Sequence, residues 1–258
     1  MKKHEFNTSK NKVTGLENTY TFLNTESSIF EVEENTTLTL IDIITKDIDV
    51  ERKLVVNKNA TLNYIKIGKS ANKSNISYVN DIKNDGTLNI SLYEFGASFN
   101  TMKTELKNEN TSLNINGLID LKDDSQVEYD IQTNHQAKSF SDIAFKNLLT
   151  DKSSAKLKMF SIVEENAAFS KAFQNSKTIL LSDDSFVTVT PHLEISIDEL
   201  EASHGATCGD LDKDSIYYLK SRGIKEVDAK VMLLDAIKNE VYASLNNKDL
   251  SEYIKGLL

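Results

Sequence analysis

The chain has 258 residues, of which 39% are hydrophobic, and a formal net charge of -9. That is enough apolar material for a substantial core, as one domain or a domain with an appendage, without covalent staples. The acidic balance argues against a nucleic-acid groove, which relies on clustered Lys and Arg, and the single cysteine, Cys208, excludes an internal disulfide or a cluster held by several thiolates of this chain alone.

The start, MKKHEFNTSKNKVTG, is basic but has no apolar run behind it, so it does not read as a secretory signal. No stretch of about 18 apolar residues occurs, so no membrane-spanning helix is expected. The expected compartment is the cytoplasm. Residues 1–30 form a leading segment without a repeat, and after it a six-residue pattern recurs: NTTLTL from Asn35, NATLNY from Asn59, DGTLNI from Asp85 and NTSLNI from Asn110. Each copy is a turn former and a small residue, then alternating apolar and polar positions, which describes a tight bend feeding a half-buried strand. Weaker echoes start at Asp124 (DSQVEY), Asp151 (DKSSAKLKM) and Ser182 (SDDSFVTV).

Strands that arrive once per repeat, with no helix between them, cannot make a doubly wound sheet. Stacked coils of a β-solenoid over residues 31–209 satisfy the pattern, with Leu38, Leu62, Leu88 and Leu113 forming an inward ladder. A β-sandwich is the competing reading. From residue 210 to 258 the period becomes helical. DKDSIYYLKSRG reads as a short helix capped by Asp212 and stopped at Gly223. In the next segment Ala229, Met232, Leu233, Ala236, Ile237 and Val241 form one apolar helix face, and a last helix starts near Asp249.

The most specific string runs from Pro191 to Leu233: PHLEISIDELEASHGATCGDLDKDSIYYLKSRGIKEVDAKVML. It resembles the C-terminal signature of the SufB/SufD family of iron–sulfur cluster assembly scaffold proteins, in which a proline and short strand precede a His-Gly-Ala-Thr or His-Glu-Ala-Thr segment and a Tyr-Leu-x-Ser-Arg-Gly helix. NHQAKSFSDIAFKNLLTDKSSAKL from Asn134 and FQNSKTILLSDDS from Phe173 extend the likeness, so it covers roughly the second half of the chain. The family's longer N-terminal helical region has no counterpart in this sequence.

The resemblance implies a right-handed parallel β-helix with a C-terminal helical appendage. It also implies a non-catalytic subunit that pairs with a SufB-like partner and docks a SufC-like ABC ATPase through the residues after Asp212. Two positions favour the SufD side of the family. Ser185 stands where SufB members carry a cysteine, and Gly205 follows His204 where SufB usually has Glu. The resemblance makes His204 the candidate iron or cluster ligand at the SufB interface, sharing a transient iron–sulfur cluster that this chain cannot hold alone. Tyr217, Tyr218, Arg222 and Gly223 are the candidate SufC-docking residues.

Cys208 lies four residues after His204 and would share its strand face. A free cysteine is more often core, and the expectation is a buried thiol, with a second ligand as the alternative. His135 is read as marking the solenoid surface, and the pairs Asp123–Asp124 and Asp183–Asp184 as solvated turns. No Gly-x-x-x-x-Gly-Lys phosphate loop or Gly-x-Ser-x-Gly elbow is present. The alternatives are a SufB-like scaffold acting as a homodimer, and a carbohydrate-active β-solenoid enzyme. Neither nucleic acid nor membrane is expected as a partner.

Overall fold

The computed structural model describes residues 11–12, 19–70 and 73–257. The basic start and His4 lie outside the described residues. In chain order the elements are β1 (Asn11–Lys12), β2 (Thr19–Leu23), β3 (Ser28–Val32), β4 (Thr37–Ile44), β5 (Asp49–Val56), β6 (Thr61–Gly68), β7 (Ser74–Ile82) and β8 (Thr87–Glu94). They continue with β9 (Ser98–Leu106), β10 (Thr111–Leu121), β11 (Gln126–His135), β12 (Ser139–Leu149), β13 (Ser154–Val163), β14 (Lys171–Leu180), β15 (Phe186–Ile195) and β16 (Glu201–Gly209). Three helices follow: α1 (Lys213–Ser221), α2 (Glu226–Ala243) and α3 (Lys248–Leu257).

The strands alternate between two sheets, β1-β2-β4-β6-β8-β10-β12-β14-β16 and β15-β13-β11-β9-β7-β5-β3. Every pairing is parallel except that of β1 with β2. The chain is therefore a parallel β-solenoid with two strands per coil, where the sequence repeat suggested one. The second strand escaped notice because Arg52, Asn80, Asn100 and Thr104 sit on its buried face, which erases the apolar alternation.

Leu38 pairs with Leu62, Leu62 with Leu88 and Leu88 with Leu113 in successive ladders. All four belong to one continuous core, so the sandwich reading fails. The repeat heads explain how so few glycines make so many turns. Asn35, Asn59, Asp85 and Asn110 hold φ of 57°, 52°, 59° and 56°, the left-handed region that Asn and Asp tolerate better than other side chains. Their side chains also stack, Asn59 Nδ2 donating to Asn35 Oδ1 at 2.8 Å and Asn110 Nδ2 to Asp85 Oδ1 at 3.2 Å. The weaker echoes mark the opposite corner, where Asp123 and Asp151 adopt φ of 59° and 57° ahead of β11 and β13.

The first coils enclose charges. Arg52 Nε lies 2.8 Å from Asp42 Oδ2, both fully buried, and Tyr64 donates to the same oxygen at 2.6 Å. In the next coils, Lys66 Nζ meets Glu94 Oε1 at 2.6 Å and Asn100 Oδ1 at 2.8 Å, and the Tyr129 hydroxyl also donates to Glu94. Gly68 faces that carboxylate so closely that a Cβ there would collide with it.

His135 is buried rather than on the surface, because its strand position points inward at the corner. Its Nδ1 and Nε2 lie 2.8 and 2.9 Å from the hydroxyls of Ser139 and Ser141. Burial lowers its pKa to about 4, below the ordinary 6.5. The unfolded chain then binds the extra proton first, so stability should be constant above pH 6.5 and decline as pH falls toward 4, by about 3 kcal/mol in all. Urea melts across that range should show the decline, and His135→Asn should flatten it; parallel profiles for the two proteins would refute the assignment.

Asp212 caps α1 by accepting from the Ser215 amide at 2.9 Å, and Gly223 ends it at φ 85°. The helices do not hang free. Val241, Tyr242, Leu250 and Ile254 pack over Ile41, Ile65, Ile67, Tyr93, Leu118 and Leu148 on the outer face of the larger sheet, and Lys238 pairs with Asp120 at 2.7 Å. Of the expected apolar face, Ala229 and Val241 are buried and Leu233 and Ile237 half-buried, but Met232 and Ala236 are exposed. The C-terminal half of α2 does the covering, since that half lies on the sheet.

Candidate site at the open end of the solenoid

The inner face of β14 presents Ala172, Gln174, Ser176 and Thr178, all buried. In the ladder to β16 these meet Ala202, His204, Ala206 and Cys208. His204 and Cys208 therefore face the solenoid interior from its last strand. Among the described residues no further coil covers them, and both are exposed. This corrects the expectation of a buried Cys208: the position is inward, but the core stops one strand short of it.

A strand rises about 3.3 Å per residue, which sets the Cα atoms of His204 and Cys208 roughly 13 Å apart. Side chains standing side by side off a sheet at that distance do not close on one metal ion. Among the described residues no group of three or more His, Cys, Asp and Glu side chains is placed to hold a metal. An iron–sulfur cluster at this end would need most of its ligands from another chain, with His204 offering a nitrogen and Cys208 a thiolate at separate points.

Polar side chains line the wall beneath. Gln174 Nε2 donates to Ser161 Oγ at 2.7 Å and to the His192 carbonyl at 3.2 Å. Asn147 Nδ2 donates to Ser176 Oγ at 3.0 Å and Thr178 Oγ1 at 2.8 Å. Gln174 carries no signal of its own in the sequence; its place under His204 depends on register between strands 30 residues apart, which no local pattern reports. Ser185 is tucked into a turn and donates to the Ser182 carbonyl at 2.7 Å. His192 lies on the outer face of β15, its ring 4.7 Å from that of Phe160.

The other candidate residues cluster on α1 and its exit. Tyr217 and Tyr218 are 75% and 56% exposed, and Val227 and Met232 on α2 are exposed too. The Arg222 guanidinium lies 5.3 Å from the Tyr218 ring centre, and Gly223 shapes the turn into α2. The structure thus separates two sites: an imidazole and a thiol at the solenoid mouth, and an aromatic patch on the helical hairpin. No helix among the described residues is long and apolar enough to cross a membrane.

Residues 15–237 match the family model described as SUF system FeS cluster assembly, SufBD core domain. The match reaches well into the first half of the chain, beyond the stretch where the motifs alone carried the likeness. The chain is 30% identical over 153 residues to the iron–sulfur cluster assembly protein SufD of Escherichia coli, covering 58% of this chain and 36% of that protein. It is 32% identical over 111 residues to SufD of Plasmodium falciparum, covering 43% and 8%. An iron–sulfur cluster assembly SufBD family protein of Synechocystis is 35% identical over 80 residues, 31% of this chain and 18% of the relative. The matched stretches thus span about a third or less of these relatives' own length. With a parallel solenoid, the His-Gly-Ala-Thr strand at its end and the family model running through nearly all of both, the chain belongs to the SufB/SufD family of the SUF iron–sulfur cluster assembly system and is SufD-like.

Proposed function

We propose that the chain is a non-catalytic, SufD-like scaffold subunit that pairs with a SufB-like partner through the open solenoid end, offers His204 to a transient cluster assembled there, and holds a SufC-like ABC ATPase on its helical hairpin. The observation that carries this reading is the last strand. Among the described residues β16 is the last strand of its sheet, paired only with β14 and with His204, Ala206 and Cys208 uncovered, and a parallel sheet exposed in that way is a template for another chain's strand. Exposed Phe186 at the start of β15 and exposed Phe169, which holds φ 61° in the turn before β14, lie on the same last coil. Such a φ is rare for a bulky side chain, and an aromatic held outward there suits burial against a partner.

The exposed Tyr217 and Tyr218 supply the aromatic anchors that dominate protein interfaces. Nucleotide hydrolysis belongs to the ATPase partner in this reading, and the cluster is cargo shared with the SufB-like subunit. The compartment proposed is the cytoplasm. Deleting the helices would be a poor test of docking, since it would uncover the apolar strip around Ile65 and Tyr93. Substituting Tyr217 and Tyr218 together by Ala leaves that strip covered. In co-purification with SufB-like and SufC-like subunits, the double variant should keep the SufB-like partner and bind the ATPase roughly 30-fold more weakly. Unchanged ATPase affinity would place the docking surface elsewhere, and a chain recovered only as a pair of identical copies would favour the homodimer.

A further inference from the structure

Gln174 is locked in place from across the lumen. It is 2% exposed, and its amide nitrogen reaches from β14 in one sheet to Ser161 on β13 and the His192 carbonyl on β15 in the other. A carbonyl oxygen can only accept, so the bond to His192 fixes which end of the amide is nitrogen. The oxygen, Oε1, is then committed to the opposite side. It is buried and has no hydrogen-bond partner among the described residues, a condition that disfavours the fold unless a donor reaches it. The inward side chain directly alongside, one strand spacing of about 4.8 Å away, is His204.

We propose that Gln174 is the positioning residue of His204: Oε1 accepts a hydrogen bond from one imidazole N–H, fixing tautomer and ring plane so that the other nitrogen turns its lone pair toward the solenoid mouth. The imidazole is exposed there, and the bond requires the ring to turn inward over Gln174. The bond meets two needs, supplying a donor for an amide oxygen that water does not reach and fixing which ring nitrogen carries the hydrogen, so that the other is left free for a metal. Thr178, already accepting from Asn147, stands in the matching place beside Cys208, but a hydroxyl rotates freely and imposes no comparable orientation. The proposal rests on His204 being a ligand, and it can fail separately from that reading.

The test is the tautomer of His204 in the full chain, read from nitrogen-15 shifts of labelled histidine at about pH 8.5, where a free ring is neutral, with the signal assigned by its loss in His204→Ala. The wild-type ring should hold a single tautomer. Gln174→Leu should return it to the mixture of a free imidazole. A mixed population in the wild type overturns the proposal even where a variant fails to fold, and a single tautomer that survives Gln174→Leu overturns it equally. A shifted tautomer with normal cluster yield for His204→Ala would keep the positioning and remove the ligand role. An unmoved tautomer with lost clusters would do the reverse.

Discussion

Replacing His204 by Ala is expected to lower cluster formation in the assembled complex by roughly tenfold or more while leaving subunit pairing intact. Loss of a group that merely orients a metal ligand already costs 10- to 100-fold in metal affinity, and removing the ligand itself should cost no less. Pairing should survive because, in the proposed complex, β16 would meet its partner through backbone groups, which an alanine at position 204 retains. Cys208→Ser is the contrasting variant. Its thiol stands roughly 13 Å along the strand from His204, and a modest effect is expected. Cluster yield should be measured by iron and sulfide content after reconstitution with the SufB-like subunit, with the complex quantified first. Normal yield for His204→Ala together with a large loss for Cys208→Ser would invert the assignment and make the thiolate this chain's contribution.

Arg52→Met should destabilise the chain by about 3–5 kcal/mol, the usual cost of stranding one member of a buried ion pair. Arg52 is enclosed and anchored four times, to Asp42, to the carbonyls of Thr25 and Glu26, and to the Thr25 hydroxyl. Without it the Asp42 carboxylate keeps the Tyr64 hydroxyl but no cation, and two carbonyls of the first coil lose their donor. The double substitution Arg52→Met, Asp42→Leu should recover a large part of the loss, because replacing both charges by apolar groups removes the desolvation penalty. Urea unfolding of the two variants measures both quantities. A single variant within 1 kcal/mol of the wild type would mean that water reaches Asp42, and the closed packing described for the first coils would then be wrong.

The repeat was legible because a solenoid writes its geometry locally. Asn35, Asn59, Asp85 and Asn110 each combine a left-handed turn with an alternating strand, and one coil's length separates them. Capping was legible for the same reason, since Asp212 and Gly223 act within a turn of α1. His204 became a candidate through a motif string rather than through any property of the imidazole. The second strand of each coil was hidden by its inward polar residues, and the fate of Cys208 by the position of its strand in the stack.

By itself, then, the sequence determined the coil period, the inward leucine ladder, the switch to helix after residue 210 and the family likeness, all of which depend on side chains within a few residues of one another. Tertiary structure alone decided that Arg52 meets Asp42, that the helices close over Ile65 and Tyr93, and that Gln174 lies beneath His204. Those contacts join residues from separate coils or elements. They are set by strand register and by where the stack of coils ends, and neither leaves a trace in local periodicity.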